Sequence, residues 1–380
     1  MWKAVLGRKA VLGSAVAVIV ALSAARTGVP LVQLLAMASM WLLPDSRDTQ
    51  HAGCASVAQY SHQNHVGKFW LYNLGGLHPL LRAMRRFPDD KDLQLVCAYG
   101  VGGLSLFAYD IMSAAGDHGA VELVVELMRK WPDDPRTQIG GVHGCFMDFS
   151  SVNRARWEKA GGMELNVAAI RNHYENAEVQ FTSWCAFSSG TQEPNQEKFA
   201  EIGGIELSVQ VMRDHPKSFR VREEVMQSNR AVGMKAAHLR ERQVAAGWIE
   251  EVATAMKDAP LDMHQQSPGC ANLVILASNN ETHRDRAIAA GAVELALEAV
   301  KNFPRMYSPL QWEYDAQYTV YYDCISLLRH LAKNSTARER LLKAGAAADV
   351  GSVMRGRPSD QQVQYEGAII LDILQGLGGA

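Results

Sequence analysis

The side chains able to do chemistry are plentiful but unassembled. Twelve histidines and forty carboxylates recur at no shared spacing, and HExxH, GxSxG, the phosphate-cradling P-loop and GxGxxG are all missing. The glycine-rich GVGGLS at Gly100 lacks the spacing and the preceding strand that would seat a pyrophosphate on a helix N-terminus. Six cysteines, Cys54, Cys97, Cys145, Cys185, Cys270 and Cys324, form no CxxC and no Cys/His set at zinc spacing. The pattern points away from an enzyme, and neither a cofactor nor a metal is expected.

Charge narrows the partners. The 380 residues carry a net charge of −2 with 21% charged and 48% hydrophobic residues. There is material for a large core but no general pull toward nucleic acid or anionic lipid.

Stepping from residues to elements, a unit recurs that begins at a glycine: GGLHPLLRAMRRFPDDKDLQ at Gly75, GAVELVVELMRKWPDDPRTQ at Gly119, GGIELSVQVMRDHPKSFRVR at Gly203. Gly161, Gly247, Gly291 and Gly345 head four more copies, and the seven heads are spaced by 44, 42, 42, 44, 44 and 54 residues. Apolar residues at +2, +6 and +9 from each head, such as Val121, Val125 and Met128, form the stripe of a helix with one buried face. Proline at +13 in six copies, with Tyr174 in the seventh, stops that helix. An Asp or Ser then caps a further helix, which opens at +19 with Gln94, Gln138, Gln180, Gln266 and Gln364, or with Arg222 and Val320. Each unit therefore reads helix, Gly turn, helix, Pro turn, helix.

A period of roughly 40 to 47 residues with two or three helices belongs to HEAT and armadillo arrays. The stretches 265–300, with its Gln-led helix, Asn-rich turn and Ala-Gly ending, and 327–350 resemble the armadillo repeat family. The resemblance covers about residues 50–380. It implies an all-α fold, a right-handed alpha-alpha superhelix (an armadillo-like solenoid) of about eight three-helix repeats. Upstream, Met40, Pro44 and Gln50 keep the same register, which places a degenerate head at Leu31 and the start of the repeat domain near residue 28. Residues 28–380 form the repeat domain.

Residues 1–27 form a separate hydrophobic segment. The first 44 residues hold no Asp or Glu, carry Lys3, Arg8, Lys9 and Arg26, and include an uncharged run from Ala10 to Ala25. Signal or transit peptide, capping helix and membrane anchor all fit this run. The apolar stretch from Val29 to Pro44 reads as the middle helix of the first repeat.

The resemblance also implies a concave groove lined by third helices, where importin-like members place a tryptophan and, four residues on, an asparagine. Here the tryptophan slots hold Tyr99, His143, Cys185, Gln227, Ala271, Ile325 and Ile369, and the asparagine slots Gly103, Met147, Ser189, Ala231, Ile275, Arg329 and Ile373. The import-receptor ladder is absent. The groove reads as polar or aromatic early and apolar late, with Tyr99, His143, Gln227 and Arg329 as candidate partner contacts. The seventh unit's ten extra residues, around 305–322, bring Trp312, Tyr314 and other aromatics into an insertion of the kind that binds partners.

Three further rows have structural explanations. A base stands at +10 in every copy (Arg85, Arg129, Arg171, Arg213, Lys257, Lys301, Arg355) and Glu at +3 in five. Both oppose the helix dipole at about 0.3–1 kcal/mol apiece, a reading preferred over a phosphate-binding ladder. The sequons at Asn280 and Asn334 fall at one repeat position, shared with Asn64. The cysteines lie on third helices whose axes stand roughly 8–10 Å apart, so buried thiols in a reducing compartment are expected instead of bridges. The function read from all this is a monomeric, cytoplasmic scaffold or adaptor that binds a protein or peptide segment along its concave face. The alternative is a regulatory module acting on an enzyme or cytoskeletal partner through the aromatic insertion. Nucleic acid is not expected, and membrane contact only if residues 10–25 act as an anchor.

Overall fold

A computed structural model describes residues 27–106, 108–144, 151–190, 195–303 and 320–376. These form helices joined by short turns, with no strand among the described residues. The chain divides into two compact units, Met1–Gly190 and Thr191–Ala380. Repeats 1 to 4 (second helices Leu31–Leu42, Leu77–Arg86, Ala120–Lys130, Gly162–Asn172) make up the first, and repeats 5 to 8 (Gly204–Asp214, Trp248–Asp258, Ala292–Asn302, Ala346–Gly356) the second.

Each repeat follows the punctuation in its sequence. All seven head glycines have φ between 73° and 98°, a left-handed conformation in which a Cβ would be strained. In repeat 1 the left-handed residue is Gly28, φ 71°, three positions before the degenerate head at Leu31, which is instead the first residue of its helix. In repeats 1, 2, 6 and 8 a side chain caps the third helix after the turn: Ser46 accepts from the Thr49 N–H, Asp90 from Leu93, Asp262 from His264 and Asp360 from Val363. Repeat 4, without proline, still ends its second helix at Asn172, and Asn176 accepts the following N–H groups of Glu178 and Val179.

The glutamine that opens the third helix is a lock. Gln94 Nε2 donates to the Met84 and Phe87 carbonyls at 2.5 and 3.0 Å, and Gln266 to Met256 and Ala259 at 2.7 and 2.9 Å. Gln50, Gln138, Gln180 and Gln364 make the same pair of bonds to residues ten and seven places back. One carboxamide thus ties together two carbonyls at the end of the second helix, the later of which also accepts the backbone N–H three residues on, as Phe87 does from Asp90 and Ala259 from Asp262. Gln50 makes these bonds in the first helical pair as the others do in theirs. Arg222, in the glutamine's place, donates instead to the Pro216 carbonyl and pairs with Asp258. The stripe at +2, +6 and +9 is buried, Val121, Val125 and Met128 being 4%, 1% and 0% exposed. Opposite the +9 methionine, the third helix carries a glycine (Gly53, Gly141, Gly269, Gly367), whose Cβ would collide with that methionine's side chain.

The expectation of unbridged thiols is corrected. Cys54–Cys97 and Cys270–Cys324 are disulfides joining third helices of consecutive repeats, with Cα atoms 4.8 and 5.0 Å apart. Helix axes 8–10 Å apart do not forbid this, because each Cα sits about 2.3 Å off its axis. Two facing residues therefore approach to roughly 3.5–5.5 Å. Cys145 lies outside the described residues. The argument for a reducing compartment falls with its premise.

Of the three asparagines at the shared position, Asn280 and Asn334 are N-caps of first helices, accepting from His283 and Ala337, and Asn64 accepts from the N–H of Gly67, where the next helix begins. No described helix is long and apolar enough to cross a membrane.

Candidate functional site

Within each unit the third helices of consecutive repeats pack side by side, so their side chains form rows. In the second unit these helices are Phe219–Lys235, Met263–Ala277, Val320–Leu331 and Gln361–Leu374. Polar rungs join each neighbouring pair. Glu223 lies 3.1 Å from His264 Nδ1, the Ser267 hydroxyl donates to Asp323 at 2.6 Å, and Arg329 meets Glu366 at 2.5 Å. Burial raises the Asp323 carboxyl above the ordinary carboxylate range, with the Ser267 hydrogen bond and the Arg230 charge opposing. His330, buried beside Arg329, is pushed down to about 4 by desolvation and then by the charges of Arg329, Lys333 and Arg284, so it is neutral at pH 7.

The predicted contacts separate on this surface. Gln227 is half-buried on the third helix of repeat 5 and makes no side-chain hydrogen bond among the described residues. Arg329, four residues further along its own third helix than the slot Gln227 occupies, is committed to Glu366, itself almost wholly buried. In the first unit Tyr99 packs against the cluster of Ile139, Ala169 and Val179, and burial, then the Glu178 charge, raise its phenol pKa against the opposing Arg136. His143 lies in the helix Pro135–Gly144, but its side chain is outside the described set, as are Trp312 and Tyr314. The expected apolar late groove is partly corrected. Ala271 and Ile325 are core residues, 5% and 0% exposed, because those slots face the neighbouring helix. Ile275, Ile369 and Ile373 are half-buried.

Four of the seven +10 bases bridge consecutive repeats. Arg85 donates to the His118 carbonyl, Arg129 to that of Ala160 at 2.6 Å, Arg213 binds Glu251 at 2.8 Å and Lys301 Asp349 at 3.4 Å. Each reaches from one repeat to the next, two of them closing the carbonyl just before a head glycine. Three of the five +3 glutamates pair with an arginine five residues before the next head: Glu206 with Arg242, Glu250 with Arg286 and Glu294 with Arg340. Sequence reading attributed both rows to the helix dipole and missed these partners. The signal was present, as arginine recurs at 242, 286 and 340. Among the described residues no group of three His, Cys, Asp or Glu side chains is placed to hold a metal ion.

No protein-family model matches the chain, and no curated protein matches it in sequence. Solved structures do resemble it. An engineered protein aligns over 89% of this chain and 78% of its own, with TM-score 0.74 and 18% identity. A chain from a structure concerned with a phosphorylation switch controlling the interaction between cadherin and beta-catenin aligns over 90% of this chain and 61% of its own, at TM-score 0.69 and 14% identity. A designed armadillo repeat protein in complex with the peptide (KR)4 aligns over 67% of this chain and 99% of its own, at TM-score 0.52 and 15% identity. The class is therefore all-α. Within it, the chain has the armadillo-type repeat fold.

Proposed function

We propose that the chain is a binding scaffold whose third-helix faces hold a segment of another protein. The observation that carries this reading is the second unit's row of polar groups on third helices, in which Gln227 has no hydrogen-bonding partner among the described residues. A half-buried amide of this kind supplies both a donor and an acceptor to an incoming backbone. The designed relative bound to (KR)4 supports peptide capture on such a surface. In the second unit Gln227 and Arg329 are the proposed contacts, Gln227 the principal one because Arg329 is already paired; Tyr99 and His143 are the proposed contacts of the first unit taken by itself. Stacked repeats that contact only their neighbours build the extended surfaces that peptide ligands need. We further propose that the chain works in an oxidising compartment, on the strength of its two disulfides, and not in the cytoplasm.

The test is selection of binding peptides from a random display library against the full chain, followed by Gln227→Arg and, as an outer-face control, Glu126→Arg. Peptides lost on the first substitution and kept on the second support the reading. Peptides insensitive to Gln227→Arg and Tyr99→Ala overturn it.

A further inference from the structure

We propose that the outer face of repeats 1 and 2 docks on a lipid surface. A base stands at +10 from every glycine head, and in repeats 5 to 8 an acid stands six residues before the head, at Glu197, Glu241, Asp285 and Glu339, where repeats 3 and 4 have Ser113 and Ala155. Arginine stands five residues before the head at Arg156, Arg242, Arg286 and Arg340. At the N-terminal end the same positions hold Trp41, Phe69 and Trp70, which are 51%, 44% and 42% exposed. Leu31, Val32 and Leu35 on the helix Leu31–Leu42 add exposures of 47%, 62% and 43%. Terminal repeats of a solenoid ordinarily present a polar outer face to water; this one has exchanged charge for large apolar groups at the positions that point outward.

Three occupants compete, and two fit poorly. The run Ala10–Ala25 contains no charged residue and, besides Ser14 and Ser23, only apolar residues and glycine. Laid over the patch, it would exchange one apolar surface in water for another. A second copy would bring together two segments that each carry Lys3, Arg8, Lys9 and Arg26 and no acid before Asp45, which repel. Lipid accommodates the apolar face in its acyl region, and the excess of bases over acids in the sequence before Asp45 suits anionic headgroups. Trp41, with the Arg82 guanidinium 4.2 Å from its ring centroid, has the aromatic-plus-base character of the membrane interface. A helix of 12 residues is about 18 Å long, short of the ~30 Å hydrocarbon core. The docking is therefore to the surface, along the helix, and not a crossing.

The experiment is co-flotation of the full chain with vesicles of phosphatidylcholine, with and without phosphatidylserine. The expected result is flotation with both, stronger with phosphatidylserine at low salt. In the variant Leu35→Glu/Trp41→Glu/Phe69→Glu, partitioning falls by roughly tenfold or more for each side chain withdrawn from lipid. Circular dichroism checks that the variant folds. Should it not fold, quenching of the unaltered chain by brominated acyl chains decides, the quenched component disappearing in Trp41→Phe/Trp70→Phe. Absence of flotation or of quenching overturns the proposal. So does flotation that ignores the patch substitutions, which would assign lipid contact to residues 10–25 alone, and so does a lipid-free dimer dispersed by them.

Discussion

Replacing Cys270 and Cys324 together by serine removes a cross-link that closes a sequence separation of 54 residues between adjacent third helices. Both sulfurs are fully buried, so the two hydroxyls occupy the same interior position without the covalent tie. Loop-closure entropy for that span corresponds to about 4 kcal/mol of stability drawn from the unfolded state. With a urea dependence of about 2 kcal/mol per molar, the second unit's unfolding midpoint falls by roughly 2 M. The same calculation for Cys54 and Cys97, separated by 43 residues, gives nearly the same figure for the first unit. The assay is urea denaturation followed by circular dichroism, with and without reductant. It is preceded by alkylation of the unfolded, unreduced protein and peptide mapping, in which Cys270 and Cys324 emerge as one linked species. Full alkylation of all four cysteines without reductant would refute the bridges. A midpoint that reductant leaves unchanged would refute the energetic argument.

Other perturbations address the repeat's own devices. Gln94→Leu removes the amide donor of the Met84 carbonyl and one of two donors to that of Phe87, which keeps the Asp90 N–H, and is expected to cost about 1–3 kcal/mol in urea unfolding; a loss below experimental error would show the lock to be idle. Gly269→Ala places a Cβ 2.5 Å from Met256 Cγ, with an expected cost of about 1–3 kcal/mol, part of which Met256→Val recovers; thermal melts of the single and double variants check this. His330 has a folded pKa lowered from 6.5 to about 4, so between those values the unfolded chain binds the extra proton. Stability present above pH 6.5 is therefore lost as pH falls toward 4, by up to about 1.4 kcal/mol per pH unit. His330→Gln flattens that part of the profile, and an unchanged slope in the variant would remove His330 as its source.

The period, the glycine and proline punctuation and the inward stripe of each second helix were all legible in the residues, because they depend on contacts within one repeat. Gln50, Gln94 and Gln266 were visible as a recurring position, and their task only became clear when the turn brought each amide back onto two carbonyls of the helix before it. The candidate site was less legible. Tyr99 and Gln227 share a register, yet one packs into an apolar cluster and the other keeps its amide unengaged, while Arg329, four residues on in its own repeat, is paired with Glu366.

What the sequence determined by itself was thus the repeat and its class, since short-range spacing dictates helix, cap and turn. What only the tertiary structure decided was the traffic between repeats: the Cys54–Cys97 and Cys270–Cys324 bridges, the Glu250–Arg286 type of ion pair and the Ser267–Asp323 rung. Those partners stand some 36 to 56 residues apart, and a period measured along the chain does not say which side chains face each other across two helices. That depends on each Cα's few-ångström offset from its helix axis, the distance that separates an excluded disulfide from the one observed.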